Sequence, residues 1–126
     1  LGTLKSLQRI LCSEGILIIE VPHARDSLIT LYDCEAFKRF TFWSEHLVLH
    51  TQDSLSNILK AAKFQKLEIK GYQRYSLANH MFWLAKGEPG GDDKYAFLNA
   101  LNEDYANKLI NIDKTDTLIA IFKFKN

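Results

Sequence analysis

The feature that most constrains this sequence is a short apolar run between two residues that interrupt regular structure. Gly15 opens the run, and Pro22, which lacks a backbone donor, ends it; between them the chain reads Ile16-Leu17-Ile18-Ile19-Glu20-Val21. A run this apolar and rich in β-branched residues predicts a strand covered on both faces, as in parallel α/β sheets. Because open α/β sheets bind ligands at the carboxyl ends of their strands, the residues after Pro22 are the first candidates for a site.

Composition and charge limit the classes of partner. The chain has 126 residues, 47% apolar and 25% charged, which is enough to bury a core. With 16 basic and 15 acidic residues its net charge is +1, so the sequence predicts no nucleic-acid or membrane partner. Cys12 and Cys34 form no close motif, and no apolar run reaches the ~20 residues of a membrane span. We therefore expect a cytoplasmic protein with reduced thiols.

The order of the first elements predicts a piece of a larger domain. Leu4, Leu7 and Leu11 recur at helical spacing and predict a helix over residues 2–12, directly before the strand at 15–22. Helix, tight turn and buried strand make half of a βαβ unit, whose other half is a preceding parallel strand. We therefore expect residues 1–126 to be the C-terminal half of an α/β domain.

Two later segments predict further strands. Residues 66–71 alternate charged and apolar side chains, which is typical of an edge strand, whereas 118–122 are apolar without a break, which favours a central one. The last strand would then lie between the other two and run antiparallel. Helices are predicted over residues 52–62, 94–101 and 103–112. The predicted fold is an α/β sheet of three main strands with flanking helices.

An acid–imidazole pair is the first candidate for catalysis. Glu45 and His46 are adjacent in an aromatic-rich segment, and an imidazole that titrates near neutrality can remove a proton from a hydroxyl or an acidic carbon. The alternative is a structural histidine beside a solvated acid. His46 and His50 have a metal-ligand spacing only on a helix, and since the segment looks extended, we predict no metal site.

Two other groups are candidates for substrate binding. His23 and Arg25 follow the first strand and could hold an acceptor or its phosphate, although the pattern favours an exposed loop of ordinary polar residues. Tyr75, Asn79 and His80 lie in an aromatic segment that could stack on a sugar or a nucleotide. The alternative for His80 is a histidine buried in the core or in an interface.

Several segments, in the same order along the chain, are similar to the class I S-adenosylmethionine-dependent methyltransferases. The family's fifth strand and its preceding helix resemble Leu7-x-x-Ile10-Leu11-x-x-x-Gly15-x-Leu17-x-Ile19-x-Val21-Pro22. The next family segment resembles Glu45-His46-Leu47, Ser54-Leu55 and Leu59-x-x-Ala62-x-Phe64. Thr115-Asp116-Thr117-Leu118 leads into a strand like the family's antiparallel seventh. The resemblance covers nearly all 126 residues.

One further segment is similar to an insertion found in a bacterial subgroup associated with sugar or cell-surface polysaccharide modification. It reads Gln73-Arg74-Tyr75-x-x-x-Asn79-His80-x-x-Trp83-Leu84-x-Lys86-Gly87-x-Pro89-Gly90-Gly91. The resemblance implies a Rossmann-like methyltransferase sheet and a small-molecule acceptor such as a nucleotide sugar. It also implies a catalytic Glu45–His46 pair, since some members that methylate sugar carbons carry a similar pair near the acceptor.

The chain departs from the family in two places. Lys63 stands where the family usually has Gly, so a left-handed helix end there would be strained or absent. The cofactor-binding Gly-x-Gly-x-Gly turn does not occur, and Gly87, Gly90 and Gly91 do not follow a strand.

These departures imply that S-adenosylmethionine would bind the full-length protein and not this chain alone, which would be inactive by itself. The open edge of the strand at 15–22 would favour a homodimer. The alternative function is a non-catalytic α/β ligand-binding or protein-interaction module.

Overall fold

The central structure is an antiparallel sheet of three strands. A computed structural model describes residues 2–43 and 46–124. Strands β1 (Ile16–Pro22), β2 (Phe64–Tyr72) and β3 (Thr117–Phe124) lie in the order β1-β3-β2, and β3 is antiparallel to both neighbours. The predictions of a central, antiparallel last strand and of an edge strand at residues 66–71 are therefore confirmed. Both outer strands are antiparallel to β3, so they run in the same direction. Their carboxyl ends therefore lie at the same end of the sheet.

Six α-helices and one 3₁₀ helix of the described residues surround the sheet. The α-helices are α1 (Gly2–Gln8), α2 (Ser27–Thr30), α3 (Glu35–Thr41), α4 (Gln52–Ala61), α5 (Leu77–Lys86) and α6 (Asn102–Asn111), and the 3₁₀ helix is Ala96–Leu101. The helices predicted over 52–62 and 103–112 are confirmed within one residue at each end. The first helix ends at Gln8, four residues before its predicted end, and the segment predicted as helix over 94–101 is a 3₁₀ turn.

Local hydrogen bonds explain where helices α4 and α5 begin. In α4, the Thr51 hydroxyl accepts from the Ser54 amide at 3.1 Å and the Ser54 hydroxyl accepts from the Thr51 amide at 2.9 Å, which is a reciprocal cap. In α5, Ser76 accepts from the Asn79 amide at 3.0 Å, and Gly87 ends the helix in the left-handed conformation at φ 72°.

The hydrophobic core lies on one face of the sheet. Helix α4 places Leu55 and Leu59 against Leu118, Ala120 and Phe122 of β3, all of them buried. Apolar residues of α1 and of the following turn pack on the same cluster. Burying these side chains supplies the main stabilisation of the sheet.

The other face of β1 is open, so the prediction of a strand covered on both faces is wrong for the described chain. Ile16 is 49% exposed and Ile18 is 66% exposed, while the alternate residues Leu17 and Ile19 pack on the core. A continuous apolar run is compatible with burial on both faces of the sheet. Whether each face is buried depends on the elements that pack against it. Along its outer edge, β1 has no neighbouring strand within residues 2–43 and 46–124.

The helix end at Lys63 adopts the left-handed conformation that the family pattern would fill with glycine. Its φ is 61°, which disfavours a side chain with a Cβ atom. The sequence predicted that a left-handed helix end at Lys63 would be strained or absent. The end is present, and it is strained.

Candidate functional site

A cavity of about 290 Å³ lies where the carboxyl ends of β1 and β2 meet the start of β3. Its polar wall comes from these strand ends and from the connections that follow them, and includes Glu20, His23, Asp26, His46, Arg74, Tyr75 and Asp116. Its apolar wall comes from α3 and α5. The cavity therefore occupies the position that α/β sheets use for ligands.

Asp116 organises one side of the cavity. Its Oδ1 accepts from the Arg74 amide at 3.0 Å and from the Thr117 hydroxyl at 2.7 Å. Its Oδ2 accepts from the Tyr75 amide at 2.9 Å and from the Gln73 side chain at 2.7 Å. Burial raises the pKa of Asp116, and the donors of Tyr75, Thr117 and Arg74 oppose that rise. Because each partner is a donor, the carboxylate uses its acceptor capacity to fix the turn after β2.

Asp26 also lines the cavity and is 4% exposed. As the N-cap of α2, its Oδ1 accepts from the Leu28 amide at 2.7 Å. Its Oδ2 has no hydrogen-bond partner among the described residues. Burial raises the pKa of Asp26 to about 7, the Leu28 amide opposes the rise, and the charge of Asp116 adds to it. The protonation state of Asp26 therefore changes near neutral pH.

The predicted base His46 lines the same cavity. Its backbone amide donates to the Trp43 carbonyl at 3.0 Å, whereas its buried ring nitrogen Nδ1 has no partner within the described part of the chain. That nitrogen can exchange a hydrogen bond or a proton with a ligand. Its predicted partner Glu45 lies outside the described residues.

His23 lines the cavity, but its ring is turned toward the lead-in to β3. Nδ1 donates to the Thr115 carbonyl at 3.0 Å, and Nε2 is 3.5 Å from the Asp113 carboxylate. Its backbone amide also donates to the Asp116 carbonyl at 2.9 Å. Burial lowers the pKa of His23, so the ring is neutral near pH 7. These contacts join the end of β1 to β3, and a substrate-binding role stays a prediction.

The other predicted substrate-binding residues divide into two groups. Tyr75 and Asn79 line the cavity, whereas Arg25 and His80 do not. The Arg25 Nε lies 3.3 Å from the Asp113 Oδ2.

His80 is buried in a hydrogen-bonded cluster behind the cavity wall. Its Nδ1 is 2.9 Å from the Tyr105 hydroxyl, and its Nε2 is 3.2 Å from the Gln73 Nε2, which donates. Burial lowers the pKa of His80 to about 4 and keeps the ring neutral. The placement agrees with the alternative of a core histidine, and a direct role in binding stays untested.

Three aromatic side chains form the apolar wall. The Trp83 ring centroid is 5.2 Å from that of Phe37 and 5.1 Å from that of Phe40. Trp83 and Phe37 are buried, while Phe40 is half exposed. Arg74 and Glu20, which also line the cavity, pair with each other.

The sequence prediction missed Asp26, Asp116, Arg74 and Trp83 as cavity residues. Asp26 lies three positions after His23 and precedes a helix, so the N-cap pattern could have marked it. The role of Asp116 depends on amides 41 and 42 residues away and left no local signal.

Comparisons with protein-family models, with curated proteins and with solved structures found no match. Within the described ranges, no group of three or more His, Cys, Asp or Glu side chains could hold a metal ion. None of the helices there is both long and apolar enough to cross a bilayer.

Proposed function

We propose that this chain is the C-terminal, acceptor-pocket part of an S-adenosylmethionine-dependent methyltransferase that acts on a sugar or a cell-surface polysaccharide precursor. The observation that supports this most is the sheet order β1-β3-β2, with a reversed central strand and a cavity at the carboxyl ends of its two parallel neighbours. The same order is what the family resemblance of the sequence implies for the end of a Rossmann-like sheet.

The residues of this chain do not fit the methyl donor. The sequence has no Gly-x-Gly-x-Gly turn after a strand, and the described glycines with positive φ, Gly87, Gly90 and Gly91, follow helix α5. We place the donor site in a part of the polypeptide that adjoins the open edge of β1. This chain alone would then bind no S-adenosylmethionine and would be inactive.

The contribution of this chain would be to hold the acceptor and receive its proton. Tyr75, Asn79 and the aromatic wall would position the acceptor, and alignment of this kind is the larger part of catalysis for a simple displacement. His46 would take the proton from the acceptor through its Nδ1, since the residue lines the cavity and this nitrogen has no partner among the described residues. Glu45 would support the imidazole.

The first experiment compares cofactor binding by two proteins in a calorimeter. We expect S-adenosylmethionine to bind the polypeptide encoded by the whole reading frame and to show no heat of binding with residues 1–126 alone. Binding of S-adenosylmethionine by residues 1–126 would contradict the proposal that the donor site lies outside this chain. A full-length polypeptide that binds no S-adenosylmethionine would contradict the enzyme itself.

The second experiment tests the base in the full-length protein. Replacing His46 with Ala should lower turnover by about 10²–10⁴-fold with cofactor affinity unchanged, because only proton removal is lost. Glu45→Gln should lower turnover in the same direction. Val48→Ala, at an exposed side chain two residues after His46, is the control and should leave turnover unchanged. Near-normal turnover of His46→Ala would remove His46 from the mechanism.

A non-catalytic α/β ligand-binding or protein-interaction module is the second candidate. The exposed pair Ile16 and Ile18 favours it, since apolar side chains on an open sheet face are typical of surfaces that take a partner. This function predicts ligand or protein binding without methyl transfer by the full-length polypeptide.

We also propose that residues 1–126 alone form a homodimer through the edge of the strand at 15–22. An apolar edge strand presents unpaired backbone N–H and C=O groups, which can form hydrogen bonds with the same strand of a second copy. Light scattering across a concentration series should show a dimer that Ile18→Lys weakens. Leu47→Lys, at a side chain 85% exposed and outside the sheet, is the matched control. A monomer at all concentrations would contradict the dimer.

A further inference from the structure

The polar groups of the cavity differ in how much of their hydrogen-bonding capacity the protein already uses. Both oxygens of Asp116 are occupied by donors, and Arg74 pairs with Glu20. Asp26 is different, because its Oδ1 caps α2 while its Oδ2 accepts from no described residue, although the side chain is buried against the cavity. A ligand that brings a donor to this oxygen would supply the hydrogen bond that the described residues do not.

The formal charges around the cavity disfavour anions. Its described lining residues carry three carboxyl groups, Glu20, Asp26 and Asp116, against one guanidinium, Arg74. That guanidinium is already paired with Glu20. Of the two lining histidines, His23 and His46, His23 is neutral, and its ring faces Thr115 and Asp113. A phosphate or carboxylate inside the cavity would therefore meet more negative than positive charge.

The size and the apolar wall limit the shape of the ligand. A cavity of about 290 Å³ is at the lower end of the roughly 300–1,000 Å³ of ligand pockets, which suits one ring better than a nucleotide. Phe37, Phe40 and Trp83, whose rings meet edge-on or tilted, offer an apolar surface, while Asp26 and Asn79 offer polar atoms. Such a combination matches a ring with an apolar face and polar edges.

We infer that the cavity takes a single uncharged, hydroxyl-bearing ring, with one ligand hydroxyl donating to the Asp26 Oδ2, and that acidic groups of the acceptor stay outside. This inference rests on the proposed function for the identity of the ligand as an acceptor. It assigns Asp26 a role in selecting the acceptor. For a nucleotide sugar, it places the sugar ring in the cavity and the diphosphate beyond its mouth.

The experiment is a titration of residues 1–126 followed through backbone amide NMR shifts. The uncharged probes are the methyl glycosides of glucose, galactose, mannose and rhamnose, and myo-inositol; the charged probes are glucose 6-phosphate and glucuronate. We expect at least one uncharged ring to shift the amides of cavity residues, and the charged probes to bind at least about tenfold more weakly.

Variants at Asp26 test the hydrogen bond itself. Asp26→Asn retains a capping oxygen for the Leu28 amide but presents a donor where the Oδ2 was, and Asp26→Ser retains the cap without a second oxygen. Both should weaken binding of the uncharged ring by about tenfold or more. Asp104→Asn, an exposed carboxyl at the start of α6, is the control.

Three results would overturn the inference: no uncharged ring shifts the cavity amides, a charged probe binds as tightly as the uncharged rings, or both Asp26 variants keep the original affinity. No methyl transfer occurs in these measurements. Their failure would leave the proposed methyl transfer standing, and absence of methyl transfer by the full-length protein would leave this binding site standing.

Discussion

Two buried aspartates, Asp116 and Asp26, line the same cavity, and they differ in how many hydrogen bonds their carboxyl oxygens accept. Asp116 accepts from the Gln73, Arg74, Tyr75 and Thr117 groups that surround it, whereas Asp26 accepts from one amide of its own helix. Burial raises the pKa of both carboxyl groups. The difference separates a carboxylate that holds the fold together from one whose remaining oxygen is available to a ligand.

The largest effect is expected from breaking the Asp116 network. Asp116→Asn keeps one acceptor oxygen and puts an amide donor in place of the other. Where the donor replaces Oδ2, the Tyr75 amide and the Gln73 side chain lose their acceptor, while the Arg74 amide keeps Oδ1. We expect unfolding to become easier by about 3–5 kcal/mol, measured by urea denaturation. Asp104→Asn is the surface control, and a loss below about 1 kcal/mol would contradict the structural role of Asp116.

The same substitution at Asp26 should act in the opposite direction. The folded pKa of about 7 lies above the value of 3.8 for the free side chain, so the folded chain binds the proton more tightly. The contribution of Asp26 to stability is therefore full below about pH 4 and is lost as the pH rises through 7. Asp26→Asn removes the buried charge and retains the helix cap.

We expect Asp26→Asn to stabilise the protein by about 2–3 kcal/mol at pH 8 and to be near neutral at pH 4, against a limit of roughly 4 kcal/mol for the whole shift. Urea denaturation of both proteins at the two pH values measures it. A variant that is destabilised at pH 8 would show that the Asp26 carboxylate is satisfied in the folded state.

A smaller effect is expected at Gln73, which connects Asp116 with the cluster behind the wall. Its side chain donates to Asp116, accepts from the Asp116 amide at 3.1 Å, and lies 3.2 Å from His80. Gln73→Met should cost about 1–2 kcal/mol in thermal or urea unfolding. Gln65→Met, on the exposed edge of β2, is the control. Equal behaviour of the two variants would place Gln73 outside the network.

The smallest change in stability is expected at His46. Its ring Nδ1 has no partner in the described ranges, so His46→Ala removes no hydrogen bond of that ring nitrogen. The free energy of unfolding should change by no more than about 0.5 kcal/mol. A loss above about 2 kcal/mol would indicate that the His46 ring, like the Asp116 carboxylate, holds the fold together.

The sequence predicts the sheet well because its signals are local. The unbroken apolar run at 118–122 and the alternation at 66–71 distinguish a central strand from an edge strand, and the structure agrees. The open face of β1 could not be predicted, since Ile16 and Ile18 have the same composition whether or not another element covers them. Helix α5 was not predicted, although Ser76 and Gly87 mark its ends.

The site is predictable only in part for the same reason. His23 could be placed at the cavity because it follows a recognisable strand, whereas His46, Tyr75 and Asn79 were candidates because of their side-chain chemistry and the residues around them. The availability of Asp26 depends on its burial and on the charge of Asp116, which is 90 positions away in the chain. Neither the burial of Asp26 nor its proximity to Asp116 leaves a pattern in the sequence around Asp26.

The most direct test of the central claim is transfer of an isotope-labelled methyl group from S-adenosylmethionine to the uncharged glycosides by the full-length polypeptide. We predict a labelled, methylated ring, with S-adenosylhomocysteine released in equal amount, and loss of the product in His46→Ala. Absence of labelled product from every glycoside and from their nucleotide-linked forms, by a polypeptide shown to bind S-adenosylmethionine, would contradict the account.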